Sequence, residues 1–244
     1  MKKKMIRLPK KIEHCPIVDA TFGINFESNL PSDAIFDVLF DKLKSKYPNS
    51  ENLPLSFMPS EITSKDIRFK YQAKHKISND NFAILIGSNT FSISHNSDYK
   101  GWDFFVTEIK DCVSILNESS IISEIKRLGL RYIDVFEGID IFDKIRHHVD
   151  LKSNSTHLRT KIINEPFYHL LQITNDSKFL NKNNEEKQGS LIDIDSTLSY
   201  YRSNELDFID DFLEQAHQKE KELFFDLLKE DFLKSLNPIY DEEI

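Results

Sequence analysis

The sequence predicts an α+β fold, mainly antiparallel sheet with helices packed on one side, and three observations carry that prediction. Strand-like runs follow one another across tight turns, a connection that only antiparallel neighbours accept. Amphipathic helical runs separate groups of strands and do not alternate with single strands, as they would in a doubly wound sheet. No glycine-rich turn of the P-loop or dinucleotide type opens any of the helical runs.

Taken in order, a basic lead reaches Glu13, and "CPIVDATFGINFE" then alternates as a strand with Ile17, Phe22 and Ile24 on its apolar positions. Pro31 and Ser32 open a helix whose stripe is Ile35, Phe36, Leu39, Phe40, Leu43 and Tyr47, and Pro48 ends it. Residues 49–66 hold two prolines among polar residues and read as a surface excursion with at most a short piece of structure. Three strands follow, "IRFKYQAKHKI", "FAILIGS" and "TFSISHN", the last two joined around Gly87, Ser88 and Asn89. Ser97 or Asp98 caps a second helix in which Trp102, Phe105, Val106, Ile109, Val113 and Leu116 recur at helical spacing.

Next comes a strand from Leu128 to Phe136, then a short helix in "IDIFDKIRHHV". Strands at His157–Asn164, Tyr168–Asn175 and Ser190–Ser199 complete the β signal, with "SKFLNKNNEEKQG" as a mobile loop between the last two. From Asn204 to Leu236 the chain reads as helix, but its apolar stripe lapses across "QKEKE", which predicts a bend or a helix pair. One domain, 1–244, accounts for this order. A boundary near Gly138 would divide it into related half-units 1–137 and 138–244, although no linker composition marks two independent domains.

Composition narrows the function classes. A net charge of −8 works against non-specific binding to nucleic acid or anionic membranes. No run is long and apolar enough to span a bilayer, and the basic N-terminus lacks the apolar core of a secretory signal, so a cytoplasmic protein without a membrane partner is expected. Cys15 and Cys112 share no metal or disulfide spacing and are expected as small core residues. The histidines show no ligand spacing; His147 and His148 read as helix C-terminal residues.

The informative residue is Arg131 in "KRLGLRYIDVF". Alternation puts Leu128, Leu130, Tyr132 and Phe136 on one face, and Arg131 on the other with Gly129, Ile133 and Val135. A guanidinium on an apolar face needs a partner. Asp193 and Asp195 of "SLIDIDST" share a strand face and suit one guanidinium fork, which would make Arg131 and the two aspartates a clasp between the halves. Arg127, at the start of that strand, is expected to be exposed. The same Asp193 and Asp195 are also metal ligands in an alternative reading, in which Arg131 binds phosphate. Tyr99 and Trp102 offer a stacking platform if they are not simply core. Tyr240 and Ile244 in the acidic tail offer a docking peptide, against a solvated end.

Pro16-Ile17-Val18-Asp19-Ala20, Tyr99-x-Gly101-Trp102-x-x-Phe105 and, above all, Arg127-Leu128-Gly129-Leu130-Arg131-Tyr132-Ile133-Asp134 resemble a sporadically distributed, functionally uncharacterised prokaryotic family of about this length. Its motif commonly reads R-x-G-L-R-Y-I-N, and here Asp134 replaces the usual Asn. The resemblance implies a gene that travels, as defence and toxin–antitoxin components do. The sequence therefore leads to a non-catalytic protein-interaction component, binding a protein partner through its acidic surface and long C-terminal helix, with no cofactor and with homo-oligomerisation left open. A metal-dependent enzyme or sensor acting on nucleotides or nucleic acid is the alternative, and a small-molecule sensor with a pocket between the two halves is the third reading.

Overall fold

A computed structural model describes residues 8–59, 63, 66–147, 155–180, 185–199 and 208–240. Strand β1 (Lys11–Ile12) precedes the long β2 (Ile17–Glu27), α1 (Ser32–Leu43) and the short β3 (Asn49–Asn52). Strands β4 (His75–Ser78), β5 (Phe82–Ile86) and β6 (Thr90–His95) lead to α2 (Trp102–Ser119) and β7 (Glu124–Glu137). Strands β8 (His157–Asn164), β9 (Phe167–Leu180) and β10 (Glu186–Ser199) follow, then α3 (Ile209–Leu227), α4 (Glu230–Ser235) and β11 (Pro238–Ile239).

Nine strands form one antiparallel sheet in the order β3-β4-β5-β6-β2-β7-β10-β9-β8, and β1 pairs with β11 in a separate two-stranded ribbon. The sheet runs without interruption across Gly138. β7, from the first half of the chain, is hydrogen-bonded to β2 on one side and to β10, from the second half, on the other.

The helices pack on one face, and alternation decides which residues they cover. Phe22, Ile24 and Phe26 of β2 and Leu128 and Leu130 of β7 face Ile35 and Leu39 of α1, Phe105 and Ile109 of α2, and Phe212 and Leu213 of α3 in one apolar cluster. Phe136, Ile192, Ile194, Leu171 and Ile173 on the same sheet face meet Phe224, Phe225, Phe232 and Leu233 from α3 and α4 in a second. Fully burying each of these large side chains contributes roughly 1.5–3 kcal/mol.

Several local expectations change. Only His75–Ser78 of the "IRFKYQAKHKI" run is strand, because residues 67–71 form turns. Helix α2 starts at Trp102, with Gly101 as its N-terminal flank at φ 102, a backbone region that glycine enters without steric cost. The short helix after Gly138 is a single 3-10 turn over Ile141–Asp143. The expected loop at 177–189 is largely strand, since β9 and β10 pair as far as Leu180 and Glu186, and residues 181–184 lie outside the described residues.

The C-terminal helix breaks at Leu228, which is extended at φ −73, ψ 139, and not at "QKEKE". Cys112 is buried, but Cys15 is exposed, contrary to its expected place in the core. His147 bonds to the Phe142 carbonyl at 2.8 Å, while His148 and residues 241–244 of the acidic tail, Ile244 among them, lie outside the described residues; Tyr240 is described and is exposed. No helix among the described residues is long and apolar enough to cross a membrane.

Candidate functional site

The central strands carry two groups of polar side chains, one on each face of the sheet. On the face away from the helices, Thr21, Arg131 and Asp195 lie in register across β2, β7 and β10. Arg131 donates from Nε and Nη2 to the two oxygens of Asp193, both at 2.8 Å, and Gln172 donates to Asp193 Oδ2 at 2.8 Å. Arg127 Nη2 reaches Asp195 at 2.7 and 2.8 Å and Thr197 Oγ1 at 2.8 Å. Each aspartate thus has its own arginine, where one fork was expected to hold both.

Depth differs from expectation too. The Arg131 side chain is 43% exposed while that of Asp193 is 5% exposed, so the cation covers the acid from the solvent side. Its row is not a core face because its neighbours include Gly129, Thr21 and Asp195, and the described helices pack against the opposite face. The bidentate contact with Asp193 holds the Arg131 proton more firmly, raising its pKa against the opposing effect of burial. Arg127 is half-buried, not exposed, because it folds back over Gly129: a Cβ there would lie 2.6–2.9 Å from its guanidinium. With both acids engaged by arginines, the metal-ligand reading of Asp193 and Asp195 loses its free oxygens. Among the described residues no group of three or more His, Cys, Asp or Glu converges as a metal site.

On the helix-covered face lies the second group, around a cleft of about 510 Å³. Its walls come from the N-terminal lead (Lys10–Ile17), the start of α2, β7, β10, α3 and β11, so both halves of the chain build it. Tyr99, Trp102 and Asp134 line it, together with Tyr132, His217 and Glu220, which the sequence reading did not single out as site residues. A bulge at Val18 interrupts the pairing of β2 with β7 beside Asp134, a device common next to functional sites.

The two acids here differ from those on the open face. Asp134 is 4% exposed and has no side-chain hydrogen-bond partner among the described residues. Burial, reinforced by the nearby Asp193 carboxylate, pushes its pKa up to about 8. Glu220 is 3% exposed; its Oε1 accepts the Ser196 backbone N–H at 3.2 Å and its Oε2 has no partner. Burial likewise drives its pKa well up, and the Asp195 and Asp134 charges add to the effect. Asp134 is therefore protonated in the cleft at neutral pH, and Glu220 is shifted in the same direction.

Aromatic side chains surround them. Trp102 stacks on His217 with ring centres 4.0 Å apart and planes 7° from parallel, and Tyr132 Oη sits 3.1 Å from His217 Nδ1. Tyr99 meets Tyr132 edge-on at 5.9 Å. Burial lowers the His217 pKa to about 3, so the imidazole in this stack is neutral, and it raises those of Tyr99 and Tyr132, so both phenols keep their protons. Although Cys15 is exposed as a residue, its thiol sits against the cleft wall, where loss of water raises its pKa, so it is not activated as a nucleophile. What remains is a half-apolar, aromatic cleft with unsatisfied carboxyl oxygens at its inner surface. That is the composition of a small-molecule site, with few polar groups placed on greasy walls. Among known proteins the chain matches no family model and no curated sequence.

Proposed function

We propose that the protein is a small-molecule-binding protein whose ligand occupies the cleft between the N-terminal lead, α2, β7 and α3. The observation that supports this reading most strongly is that Glu220 and Asp134 are both buried on the cleft wall, Glu220 Oε2 having no hydrogen-bond partner among the described residues and Asp134 making no side-chain hydrogen bond there. Native interiors satisfy nearly all buried polar atoms, so an exception facing a cavity points to a group that a ligand completes. A sensor role suits the site, since binding would engage β1, β11, α2 and α3 together.

The interaction-component role expected from the sequence has less support. Helix α3 spends its apolar face on the sheet through Ile209, Phe212, Leu213, Ala216 and Phe224 and has little left for a partner. Binding to a protein through the acidic surface, and a place in a defence or toxin–antitoxin locus, stay proposals.

Trp102 is the only tryptophan in the chain and it lines the cleft, so its emission reads occupancy directly. Screening a chemically diverse fragment collection by Trp102 fluorescence should yield compounds whose effect disappears in Ile17→Phe or Tyr99→Ala, which alter the cleft walls and add no second tryptophan. A screen that yields no such compound refutes the reading.

A further inference from the structure

Resting on that reading, we infer that the ligand carries a positively charged, donor-rich head, an ammonium or amidinium group, which seats against Glu220 and Asp134 while its apolar body lies among Trp102, Tyr99 and Tyr132.

The argument starts from what the cleft lacks. Its inner surface offers acceptors, the unpartnered Glu220 Oε2 and the Asp134 carboxyl, both more than nine-tenths buried. The influences acting on these two acids are burial, the Ser196 bonds to Glu220 and neighbouring carboxylates; no lysine or arginine is among them. None of the groups acting on these acids supplies the positive charge that would let either ionise. His217 does not supply it, because its environment keeps it neutral and its Nδ1 is already paired with Tyr132. Half-buried Lys221 also lines the cleft, but its Nζ donates to the Lys10 carbonyl at 3.4 Å and its charge acts on His217, not on the two acids. Lys10, Lys11 and Lys100 line the cleft as exposed side chains, where an anionic tail on the ligand would meet them.

A cation entering this site gains on two counts. It offers N–H donors to oxygens that otherwise go unbonded, and a charge-assisted hydrogen bond to a carboxylate is about twice as strong as a neutral one. It also meets aromatic rings: Trp102, Tyr99 and Tyr132 line the cleft, and a desolvated cation is attracted to the electron-rich face of such a ring. A neutral ligand of the same shape fills the same volume but brings no charge to either acid, and an anion faces two acids with no cation acting on them. The order of preference is therefore cation, then neutral, then anion.

Three probes of one shape separate these cases: benzamidine, benzamide and benzoate, titrated into the full chain at pH 7.5 with Trp102 emission and amide NMR shifts as readouts. Benzamidine should bind at least tenfold more tightly than benzamide, with benzoate weaker still. Glu220→Gln and Asp134→Asn should each weaken benzamidine at least tenfold while leaving benzamide within about twofold, and retained melting transitions will show that both variants fold. Equal or tighter binding of benzamide or benzoate overturns the cationic class but leaves the cleft as a ligand site. If none of the three shifts Trp102 or its neighbours, the cationic class is overturned, and a barren fragment screen then removes the small-molecule reading with it. Undiminished benzamidine affinity in both variants overturns the assignment of the two acids.

Discussion

Asp134→Asn should make the protein more stable, by an amount that pH controls. In the folded chain Asp134 holds its proton up to about pH 8, against 3.8 for the free side chain. Between those values the native state binds a proton that the unfolded state has lost, so stability drawn from this group is complete below about pH 4. It falls by about 1.4 kcal/mol per pH unit above that and is gone by about pH 8. At pH 7 the chain has come about three units from 3.8, so keeping Asp134 protonated costs on the order of 4 kcal/mol.

The amide carries no such proton and has the same shape. Allowing for an amide that is itself left without a partner, the gain at pH 7 should be about 2–4 kcal/mol, or roughly 5–10 °C in melting temperature for a chain of this size. The groups facing Asp134 are Cys15, Tyr132 and Glu220 in the cleft and Asp193 from β10. Their own titrations are common to both proteins and largely cancel. Urea unfolding of both proteins from pH 4 to pH 8.5 tests the claim. A stability difference that stays flat with pH, or a variant that is weaker than the parent at pH 8, would refute the reasoning.

Other predictions concern the open face and the stack. Arg131→Ala should cost about 1–3 kcal/mol in urea unfolding, less than the 3–5 kcal/mol of a deeply buried pair, because water reaches the guanidinium. A double-mutant cycle with Asp193→Asn should recover at least 0.5 kcal/mol of coupling, and zero coupling would mean that the bidentate contact contributes nothing. Gly129→Val should drive Arg127 off the strand and break its bonds to Asp195 and Thr197; a crystal structure with those bonds intact would contradict this. His217→Ala should strip Trp102 of its stacking partner, moving its emission to the red and lowering the melting temperature by a few degrees. Unchanged emission would mean that the two rings do not stack in solution.

Much of the architecture was legible because the sheet is antiparallel and one-sided, so period-two alternation separates covered from open rows. β2 follows directly from it, and the core of α2 follows from helical spacing. The Arg131–Asp193 contact was legible for the same reason, but its depth was not: alternation assigns a face, and whether a helix covers that face depends on elements remote in sequence. Leu130, Tyr132 and Phe136 announced the covered row of β7, and Asp134 sits in that same row, so the signal for a buried acid was present in the alternation.

Glu220 was visible in another guise. Ile209, Phe212, Leu213, Ala216, Glu220 and Phe224 form one continuous helical stripe, and the lapse at "QKEKE" is a carboxyl occupying a core position, not a bend. Nothing local could reveal that Asp134 and Glu220 share a cleft, since that follows from the order β2-β7-β10 and from how α3 crosses it.

The ribbon of β1 and β11 has a consequence for how the cleft holds together. Lys11 pairs with Ile239 and Ile12 with Pro238, so this wall of the cleft joins segments far apart in sequence, a closure with a high entropic cost. The ribbon is separate from the nine-stranded sheet and, with only two residues in each strand, should open at lower cost than the sheet does. Loss of Pro238 and Ile239 would leave the pairings of the nine strands intact and take this wall away.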